Sequence, residues 1–518
     1  MAQRLMGLFW LGLALVSVPV SVSASVTVTA QMSGEREAIV ADRAQSYYLL
    51  VKFAVVEAQS LIERPRPRLN LSLVLDRSGS MAEAGKMGYL QQAASALVAQ
   101  LQPSDLLGII AYDDEINRLW PSAPVGEATR LIQQQIESLT PRGATNLHGG
   151  LMAGAEQVSD ALLAQGVNRV LLLSDGLANA GVTRPAQIYA DIRRWHERGI
   201  AVTTLGLGLD YNEDLMQTIA EHGHGRYYFI ENPQQLTRLF QQELSSLAQT
   251  VASGVSACFR ATMAVSDVKV YGYPAVDSGA CTRIELEEFY AGEERSLLLQ
   301  LQLSPQQVGT VALGELQFSY RDKLRGAEVN QNLPWSVTVV ESSQQADEAL
   351  QHATLSEAIL IAAEAEQSQF LRQFEQGEQE QALNNLRQLA QQLAQQNRSL
   401  KSEALARKIE ALNIDSQQMV DIQTAPAAEA KSYIKTQKQR FYQAQKGRQG
   451  GYLLQRGANG FQVERLQQRL KALGHYQGEI DGLYEEEVEA AVRRYQRQHT
   501  LGVDGVAGPN TLQHLGLY

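Results

Sequence analysis

Three separate segments of the sequence place oxygen-bearing side chains directly after apolar runs. The stretch LNLSLVL ends in Asp76 and continues into Ser78 and Ser80, while LLLSDG contains Asp175 and the loop TPRGATN contains Thr145. Carboxylate and hydroxyl oxygens are the ligands that hard divalent cations prefer. The residue types therefore predict one cation site, made of Asp76, Ser78, Ser80, Thr145 and Asp175.

The charge of this ligand set limits which ion it would take. Two aspartates balance a divalent ion, and hydroxyl ligands add no further charge, so the ion keeps the ability to attract a carboxylate from another protein. Mg²⁺ takes few carboxylates and keeps several waters, and it fits the set first, with Mn²⁺ or Ca²⁺ as alternatives.

Alternating strands and helices must bring these three loops together. Between about 69 and 249, apolar strands such as LLGIIAY and AVTTLGLGL alternate with amphipathic helices, which predicts a mostly parallel sheet covered on both faces. Such sheets bind ligands at the carboxyl ends of their strands, where Asp76 and Asp175 fall. Asp113 and Asp114 also follow a strand, and we interpret them as a solvated turn rather than as metal ligands.

The segment DRSGS resembles the Asp-x-Ser-x-Ser motif of von Willebrand factor type A domains, and GATN and SDG follow it in the family's order. The resemblance covers about 65–250. It implies an intact metal-ion-dependent adhesion site, in which Asp76 and Asp175 bind the ion directly or through water. The resemblance implies direct contact with the ion for Ser78, Ser80 and Thr145.

A second resemblance concerns the end of this region. GLGLDYNEDLM and GHGRYYFI, with the flanking strand-rich segments, are similar to bacterial proteins of the calcium-activated chloride-channel-like group. Nothing in the sequence could form a pore, so we reject a channel activity.

The segments on either side of the αβ region alternate with the period of two that is typical of half-buried strands. We therefore expect a multidomain chain: an α/β doubly wound, Rossmann-like domain inserted in a β-sandwich, then a helical segment and a small three-helix C-terminal domain. The predicted order is a signal peptide (1–24), N-terminal sandwich strands (25–64), the αβ domain (65–250), the β-sandwich (251–341), a helical hairpin region (342–414), a polar linker (415–453) and the C-terminal domain (454–518).

The C-terminal segment has three short helical patterns and two similar turns, IDG at 480–482 and VDG at 503–505. LQQRLKALGHYQGEIDGLY, AVRRYQ and VDGVAGPNTL resemble the peptidoglycan-binding domain of the PG_binding_1 type. The alternative is that these helices only pack together and that the aspartates only cap turns. The candidate peptidoglycan-binding residues are Tyr476, Asp481, Tyr484, Asp504 and Gly508.

The first residues combine a basic start at Arg4, an apolar stretch and small residues before Ala24. This layout predicts a secretory signal peptide, with an uncleaved membrane anchor as the alternative. No later stretch is apolar and long enough to span a membrane. In an exported protein, the two cysteines, Cys258 and Cys281, predict a disulfide; a reactive thiol is the alternative.

Composition and motifs limit the function. The net charge of −11 argues against nucleic-acid binding. The eight histidines show no H-E-x-x-H spacing and no G-x-S-x-G elbow occurs, so we predict that the chain is not an enzyme. We expect a periplasmic or wall-associated scaffold that binds peptidoglycan and, through a divalent cation, an acidic side chain of an envelope protein. A cell-wall glycan or peptide hydrolase and a metal-gated self-assembly are the alternatives.

Overall fold

The structure is a computed structural model. It describes residues 27–55, 66–231, 236–291, 293–446, 448–449, 454, 461–499, 501, 503, 505, 507, 509–515 and 517. The predicted signal peptide, 1–24, lies outside the described residues. Within these ranges, no helix is both long enough and apolar enough to cross a membrane.

The strands occur in two groups, one before and after the αβ region and one within it. In chain order they are β1 (Val28–Gly34), β2 (Ala38–Val40), β3 (Gln45–Val55), β4 (Leu69–Asp76), β5 (Leu106–Tyr112), β6 (Ile116–Pro124), β7 (Val167–Ser174), β8 (Ala201–Leu207), β9 (His224–Ile230), β10 (Thr250–Ala261), β11 (Val265–Tyr271), β12 (Ala275–Asp277), β13 (Thr282–Leu286), β14 (Phe289–Tyr290), β15 (Glu294–Leu303), β16 (Gly309–Asp322), β17 (Ala327–Val340) and β18 (Arg448–Gln449).

The helices follow the predicted rhythm inside the αβ region and dominate the second half of the chain. They are α1 (Lys86–Gln100), α2 (Thr129–Glu137), α3 (Leu147–Asp160), α4 (Pro185–Glu197), α5 (Glu213–His222), α6 (Leu236–Ala248), α7 (Ser343–Glu348), α8 (His352–Glu375), α9 (Gln379–Leu400), α10 (Glu403–Asp421), α11 (Ala427–Gln445), α12 (Phe461–Ala472), α13 (Glu486–Gln498) and α14 (Pro509–His514).

The central sheet has six strands in the order β6-β5-β4-β7-β8-β9, and every neighbouring pair is parallel except β5 and β6. Along β4, Leu71, Leu73 and Leu75 pack towards α1 and α6, whereas Val74 packs towards α3 and α4. Both faces are therefore buried, which explains the unbroken apolar run LNLSLVL. The sequence analysis did not predict the antiparallel edge strand β6, whose residues are mostly half-exposed or exposed.

Two further sheets enclose a second core. One has the order β1-β3-β15-β11 and the other β12-β13-β10-β16-β17-β2. Strand β3 pairs antiparallel with β15, and β2 pairs in parallel with β17. Each sheet thus contains strands from before and after the αβ region. The cysteine prediction is confirmed: Cys258 on β10 and Cys281 before β13 form a disulfide, with their Cα atoms 5.7 Å apart.

The linker predicted over 415–453 differs from the structure, because much of it is helical. Helix α10 continues to Asp421, and α11 lies between the helical region and the αβ region. Lys438 of α11 bonds Glu213 and Glu375, each at 2.8 Å, and Tyr442 packs on Tyr227 with ring centroids 5.9 Å apart. Apolar spacing did not predict this helix, because its few buried apolar residues, such as Phe441, stand among polar ones, and ion pairs with distant segments also hold it in place.

The C-terminal segment has its own small core, formed by α12, α13 and α14. Two similar contacts recur in it: Gln467 accepts a hydrogen bond from the backbone N–H of Gly482 at 2.8 Å, and Gln496 accepts one from Gly505 at 2.9 Å. Each glutamine anchors one of the two DG turns noted in the sequence. The turns therefore have a structural role in connecting the helices.

The amino edge of the central sheet packs on the sandwich through buried charges. Arg169 of β7 is fully buried; it pairs with Glu288 and donates a hydrogen bond to Thr203 at 3.2 Å. The hydroxyl of Thr203 in turn donates to Glu243 at 2.7 Å. Because buried charges are stable only when paired, this network fixes the sheet against the connection between β13 and β14.

Candidate metal centre

The predicted ligands lie at the carboxyl edge of the central sheet. Strand β4 ends at Asp76 and its neighbour β7 ends just before Asp175, with Leu75 paired to Leu173 in the register of the two strands. Both aspartates are fully buried as residues. The parallel pairing alone therefore places the two carboxylates side by side.

Hydrogen bonds connect the hydroxyls to these carboxylates. The Oγ atoms of Ser78 and Ser80 are 3.1 Å apart, and Ser80 donates to Oδ1 of Asp175 at 2.7 Å. Two of the three predicted loops therefore meet within a continuous chain of oxygens.

The third loop reaches the same place through Thr145. A Cβ atom on Gly176 would stand 3.4 Å from both Ser80 Oγ and Thr145 Oγ1, so these two oxygens lie within twice that distance of each other. Thr145 is held by Asn179, whose side chain accepts the Thr145 backbone N–H at 2.7 Å. Gly176 thus places no side chain between these two candidate hydroxyls.

Asp76 also organises its own loop. Its carboxylate accepts the backbone N–H of Ser78 at 2.8 Å, the hydroxyl of Ser174 at 2.8 Å and the hydroxyl of Tyr112 at 3.2 Å. Desolvation raises the pKa of Asp76 to about 6; the hydrogen bonds from Ser78 oppose this rise and the charge of Asp175 adds to it. A cation beside it would favour the ionised form.

The donor set fits a hard divalent cation. It consists of two carboxylates and three hydroxyls brought together from three loops, and oxygen ligands of this kind suit Mg²⁺, Mn²⁺ or Ca²⁺. Among the residues that the structure describes, no group of three or more histidine, cysteine, aspartate and glutamate side chains is placed to hold a metal. A site of the zinc-enzyme type is therefore not found in that part of the chain.

Asp113 corrects the prediction of a solvated turn. It is fully buried, and its carboxylate pairs with Arg77 at 2.8 Å and with Arg142 at 2.7 Å. Burial acts to raise the pKa of Asp113, but the Glu115 backbone N–H and the two arginines hold it below its usual range. Arg77 belongs to DRSGS and Arg142 to the threonine loop, so Asp113 ties two ligand loops together. Asp114 is exposed, as predicted for a turn.

Gly143 brings the same two loops into backbone contact. Its carbonyl accepts the N–H of Gly79 at 3.1 Å, and its φ of +69° lies in the left-handed region. A Cβ at this position would stand 1.8 Å from a carboxylate oxygen of Asp114. Only glycine fits both requirements.

Lys86 is a member of the site that the sequence analysis missed. Its Nζ donates to Oδ2 of Asp175 at 2.7 Å, and its side chain is 9% exposed. Lys86 is the first residue of α1, where the helix dipole disfavours a cation. A lysine at the start of a helix, soon after DRSGS, is the sequence signal that could have identified it.

The candidate peptidoglycan-binding residues of the C-terminal domain differ in their exposure. Tyr476 and Tyr484 are 5% and 1% exposed and belong to the small core, so they are poorly placed to contact a polymer. Asp481 is exposed, but its carboxylate accepts bonds from Gln467 and from the Leu483 backbone, as expected of a turn residue. Asp504 and Gly508 lie outside the described residues.

Comparison with known families agrees with two of the three resemblances. Residues 69–229 match the family model of the von Willebrand factor type A domain, and residues 459–515 match that of the PG_binding_1 peptidoglycan-binding domain. The chain therefore contains a von Willebrand factor type A domain and a C-terminal domain of the peptidoglycan-binding type.

Relatives extend the similarity beyond these domains. The uncharacterized protein YfbK of Escherichia coli is 28% identical over 52% of this chain and 47% of its own length, so the chain spans less than half of that relative. The uncharacterized Synechocystis protein sll0103 is 27% identical over 58% of this chain and 72% of its own length. A solved von Willebrand factor type A structure from Catenulispora acidiphila aligns over 74% of this chain and 90% of its own, with 15% identity and a TM-score of 0.59, which supports the fold.

Proposed function

We propose that this protein is an exported scaffold of the cell envelope with two binding ends. The von Willebrand factor type A domain would bind an acidic side chain of an envelope protein through a divalent cation, with Mg²⁺ as the first choice. The C-terminal domain would hold peptidoglycan. We also propose that the protein is exported, that its partner binding depends on the metal and that the αβ domain is inserted into one β-sandwich.

One observation supports the metal-dependent end above all others: the hydroxyls of Ser78 and Ser80 and the carboxylate of Asp175 form one hydrogen-bonded chain, with Thr145 beside it. A bound divalent cation would supply positive charge that attracts a partner's carboxylate. The protein holds the five oxygen-bearing side chains in place through the pairing of β4 with β7 and through the ion pairs of Asp113 with Arg77 and Arg142.

The sandwich and the disulfide favour a rigid, exported body. Strands from both sides of the αβ domain share each sheet, and a disulfide persists in oxidising compartments. We place the protein in the periplasm or at the cell wall. The similarity to the chloride-channel-like group stays a prediction and adds nothing to the proposed binding function.

Metal binding is tested by calorimetry of the mature protein with Mg²⁺ and, separately, with Mn²⁺. We expect one site in the wild type and no measurable heat of binding in Asp76→Ala. Equal binding by both proteins would contradict the site.

Partner binding is tested by a pull-down from an envelope extract in Mg²⁺ and in EDTA. The expected result is a partner retained by the wild type only in Mg²⁺ and not retained by Asp76→Ala. Retention that ignores both EDTA and the mutation would exclude metal-dependent adhesion.

Wall binding and catalysis are separated on purified sacculi. We propose that the protein sediments with sacculi but does not digest them. Clearing of a zymogram by the mature protein would instead support the cell-wall hydrolase. Sedimentation velocity at several concentrations, with and without EDTA, tests metal-gated self-assembly.

A further inference from the structure

Lys86 and Asp175 form a buried ion pair inside the proposed metal site. The side chain of Asp175 is 0% exposed and that of Lys86 is 9% exposed, and their charged atoms are 2.7 Å apart. Asp175 uses its other carboxylate oxygen to accept the hydroxyl of Ser80. The ammonium is therefore in direct contact with a carboxylate that we assign to the cation.

The position of this lysine is unfavourable unless the pair itself is needed. A cation on the first turn of a helix meets the positive end of the helix dipole, and Lys86 begins α1. The Gly208 backbone also approaches it, since a Cβ there would stand 3.6 Å from Nζ. The lysine is enclosed, and Asp175 is the charged partner that offsets its burial.

We propose that Lys86 is the resident counter-ion of the metal site. It neutralises Asp175 in the metal-free protein, so the three loops keep their arrangement without a cation. When a divalent cation binds, the ammonium weakens its binding, because both positive charges share one carboxylate. Asp76, Asp175 and Lys86 together carry one negative charge rather than two, which leaves more of the ion's charge for a partner's carboxylate. This inference rests on the proposed metal-dependent function.

Lys86→Met tests the proposal, since methionine keeps much of the length and removes the charge. We expect two opposite changes: a lower melting temperature in EDTA, because two buried carboxylates lose their counter-ion, and Mg²⁺ affinity raised by about tenfold or more in calorimetry. Mg²⁺ should therefore raise the melting temperature of the variant more than that of the wild type.

Two further variants make the result decisive. Lys86→Arg keeps the charge and should keep an affinity near that of the wild type, while Lys86→Gln repeats the test should Lys86→Met not fold. Lys52→Met is the control for the loss of a lysine ion pair elsewhere, because half-exposed Lys52 of β3 pairs with Glu357 of α8 at 2.6 Å; the Mg²⁺ affinity of this variant should not change. An unchanged or lower affinity in both Lys86→Met and Lys86→Gln overturns the counter-ion role. A wild type without Mg²⁺ binding overturns the proposed function itself.

An independent feature of the C-terminal domain is the separation of charge along α13. Glu485, Glu486 and Glu487 are exposed at its beginning, whereas Arg494 and Arg497 are exposed near its end. A helix of this length separates the two groups by about 15 Å. The domain therefore has an acidic pole and a basic pole, although the whole chain is acidic.

Histidine rings join the basic pole. His499 lies 4.6 Å from His514 and 6.3 Å from His475 between ring centroids, and all three surround the ring of Tyr495. His514 is exposed and the other two histidines are partly exposed. Rings of this kind stack on sugar faces, and arginines pair with carboxylates, so the surface fits a glycan that carries acidic peptides.

We infer that this basic pole, rather than the buried tyrosines, is the surface that contacts peptidoglycan. The free carboxylates of peptidoglycan, which belong to its stem peptides, would pair with Arg494 and Arg497. This inference also rests on the proposed function, and it commits to peptidoglycan rather than to another envelope polyanion.

The test is co-sedimentation of the full mature chain with purified sacculi. Arg494→Ala/Arg497→Ala and, separately, His514→Ala should each weaken binding several-fold, while Glu485→Gln at the acidic pole should not weaken it. Normal binding by both basic-pole variants overturns the inference. A wild type that does not sediment overturns peptidoglycan binding, and competition by a soluble polyanion without glycan would assign the surface to general anion binding instead.

Discussion

At the amino edge of the central sheet, the guanidinium of Arg169 is fully buried and paired with Glu288 of the sandwich. At the carboxyl edge, Ser80 donates a hydrogen bond to Asp175, and Gly176 places no side chain between the hydroxyls of Ser80 and Thr145. The same sheet therefore uses buried polar groups in two ways. At the amino edge, each buried charge is paired with a charge of the protein, and the pairs join the sheet to the sandwich. At the carboxyl edge, the hydroxyls and carboxylates have few positively charged partners, so they can bind a cation.

The largest expected effect is at the amino edge. Arg169→Met should lower the free energy of unfolding by about 3–5 kcal/mol, because it leaves the buried carboxylate of Glu288 unpaired. Urea titration measures this loss. The control is Arg118→Met on β6, whose ion pair with Glu156 is half-exposed; it should cost less than about 1 kcal/mol. Equal losses of stability in the two variants would show that the Arg169 pair contributes no more than an ion pair at the protein surface.

A pair of threonines tests both edges with one kind of substitution. Thr145→Val removes a proposed ligand and should lower Mg²⁺ affinity by about tenfold, while costing little stability. Thr203→Val removes a hydroxyl that donates to Glu243 at 2.7 Å and should cost about 1–3 kcal/mol of stability without changing Mg²⁺ affinity. Calorimetry and urea titration on both variants check this. A loss of affinity in Thr203→Val would contradict the separation.

A smaller effect is expected at Asp113, because this residue lies at the carboxyl edge but already forms ion pairs with two arginines. Asp113→Asn should cost about 1–2 kcal/mol in stability and lower Mg²⁺ affinity only a few-fold, through looser ligand loops. Asp114→Asn is the exposed neighbour and should change neither quantity. A complete loss of metal binding in Asp113→Asn would make Asp113 a ligand rather than a clamp.

A further prediction concerns the pH dependence of stability. Burial lowers the pKa of His196 to about 3 and that of His224 to about 4, and their rings stack 3.6 Å apart at the amino edge. The unfolded chain titrates near 6.5, so it binds more protons than the folded chain below that pH, and stability should fall as the pH drops from 6.5 towards 4. The melting temperature of His196→Gln/His224→Gln should vary less over this range than that of the wild type.

Asp76 is expected to change stability with pH in the opposite direction to the two histidines. Its pKa is raised from 3.8 to about 6, so its protonated form contributes stability that is lost as the pH rises through about 6. In EDTA, Asp76→Asn should remove this loss. If the melting temperatures of the asparagine variant and the wild type varied identically with pH, the buried charge of Asp76 would not destabilise the carboxyl edge.

The sequence alone was sufficient for the αβ rhythm, for the convergence of the three candidate loops at one edge and for the disulfide. Strands that are buried on both faces can be recognised in the sequence as unbroken apolar runs. Each run ends where the sheet ends, so Asp76 and Asp175 could be assigned to one edge. The helix α11 could not be predicted in the same way. Its few buried apolar residues, such as Phe441 and Tyr442, stand among polar ones. Other contacts are ion pairs such as Lys438 with Glu213, whose partners are more than two hundred residues apart.

Only the tertiary structure decided which polar groups are free to act. Asp113 and Asp175 both follow apolar strands in the sequence, yet one is enclosed by two arginines and the other faces Ser80 and Lys86. Likewise, the tyrosines of the C-terminal domain are buried in its core, which their spacing did not reveal. Sequence determines residue types and the periodicity of burial, because these are local. The partners of a charge come from distant segments, and they determine whether that charge binds a ligand or stabilises the fold.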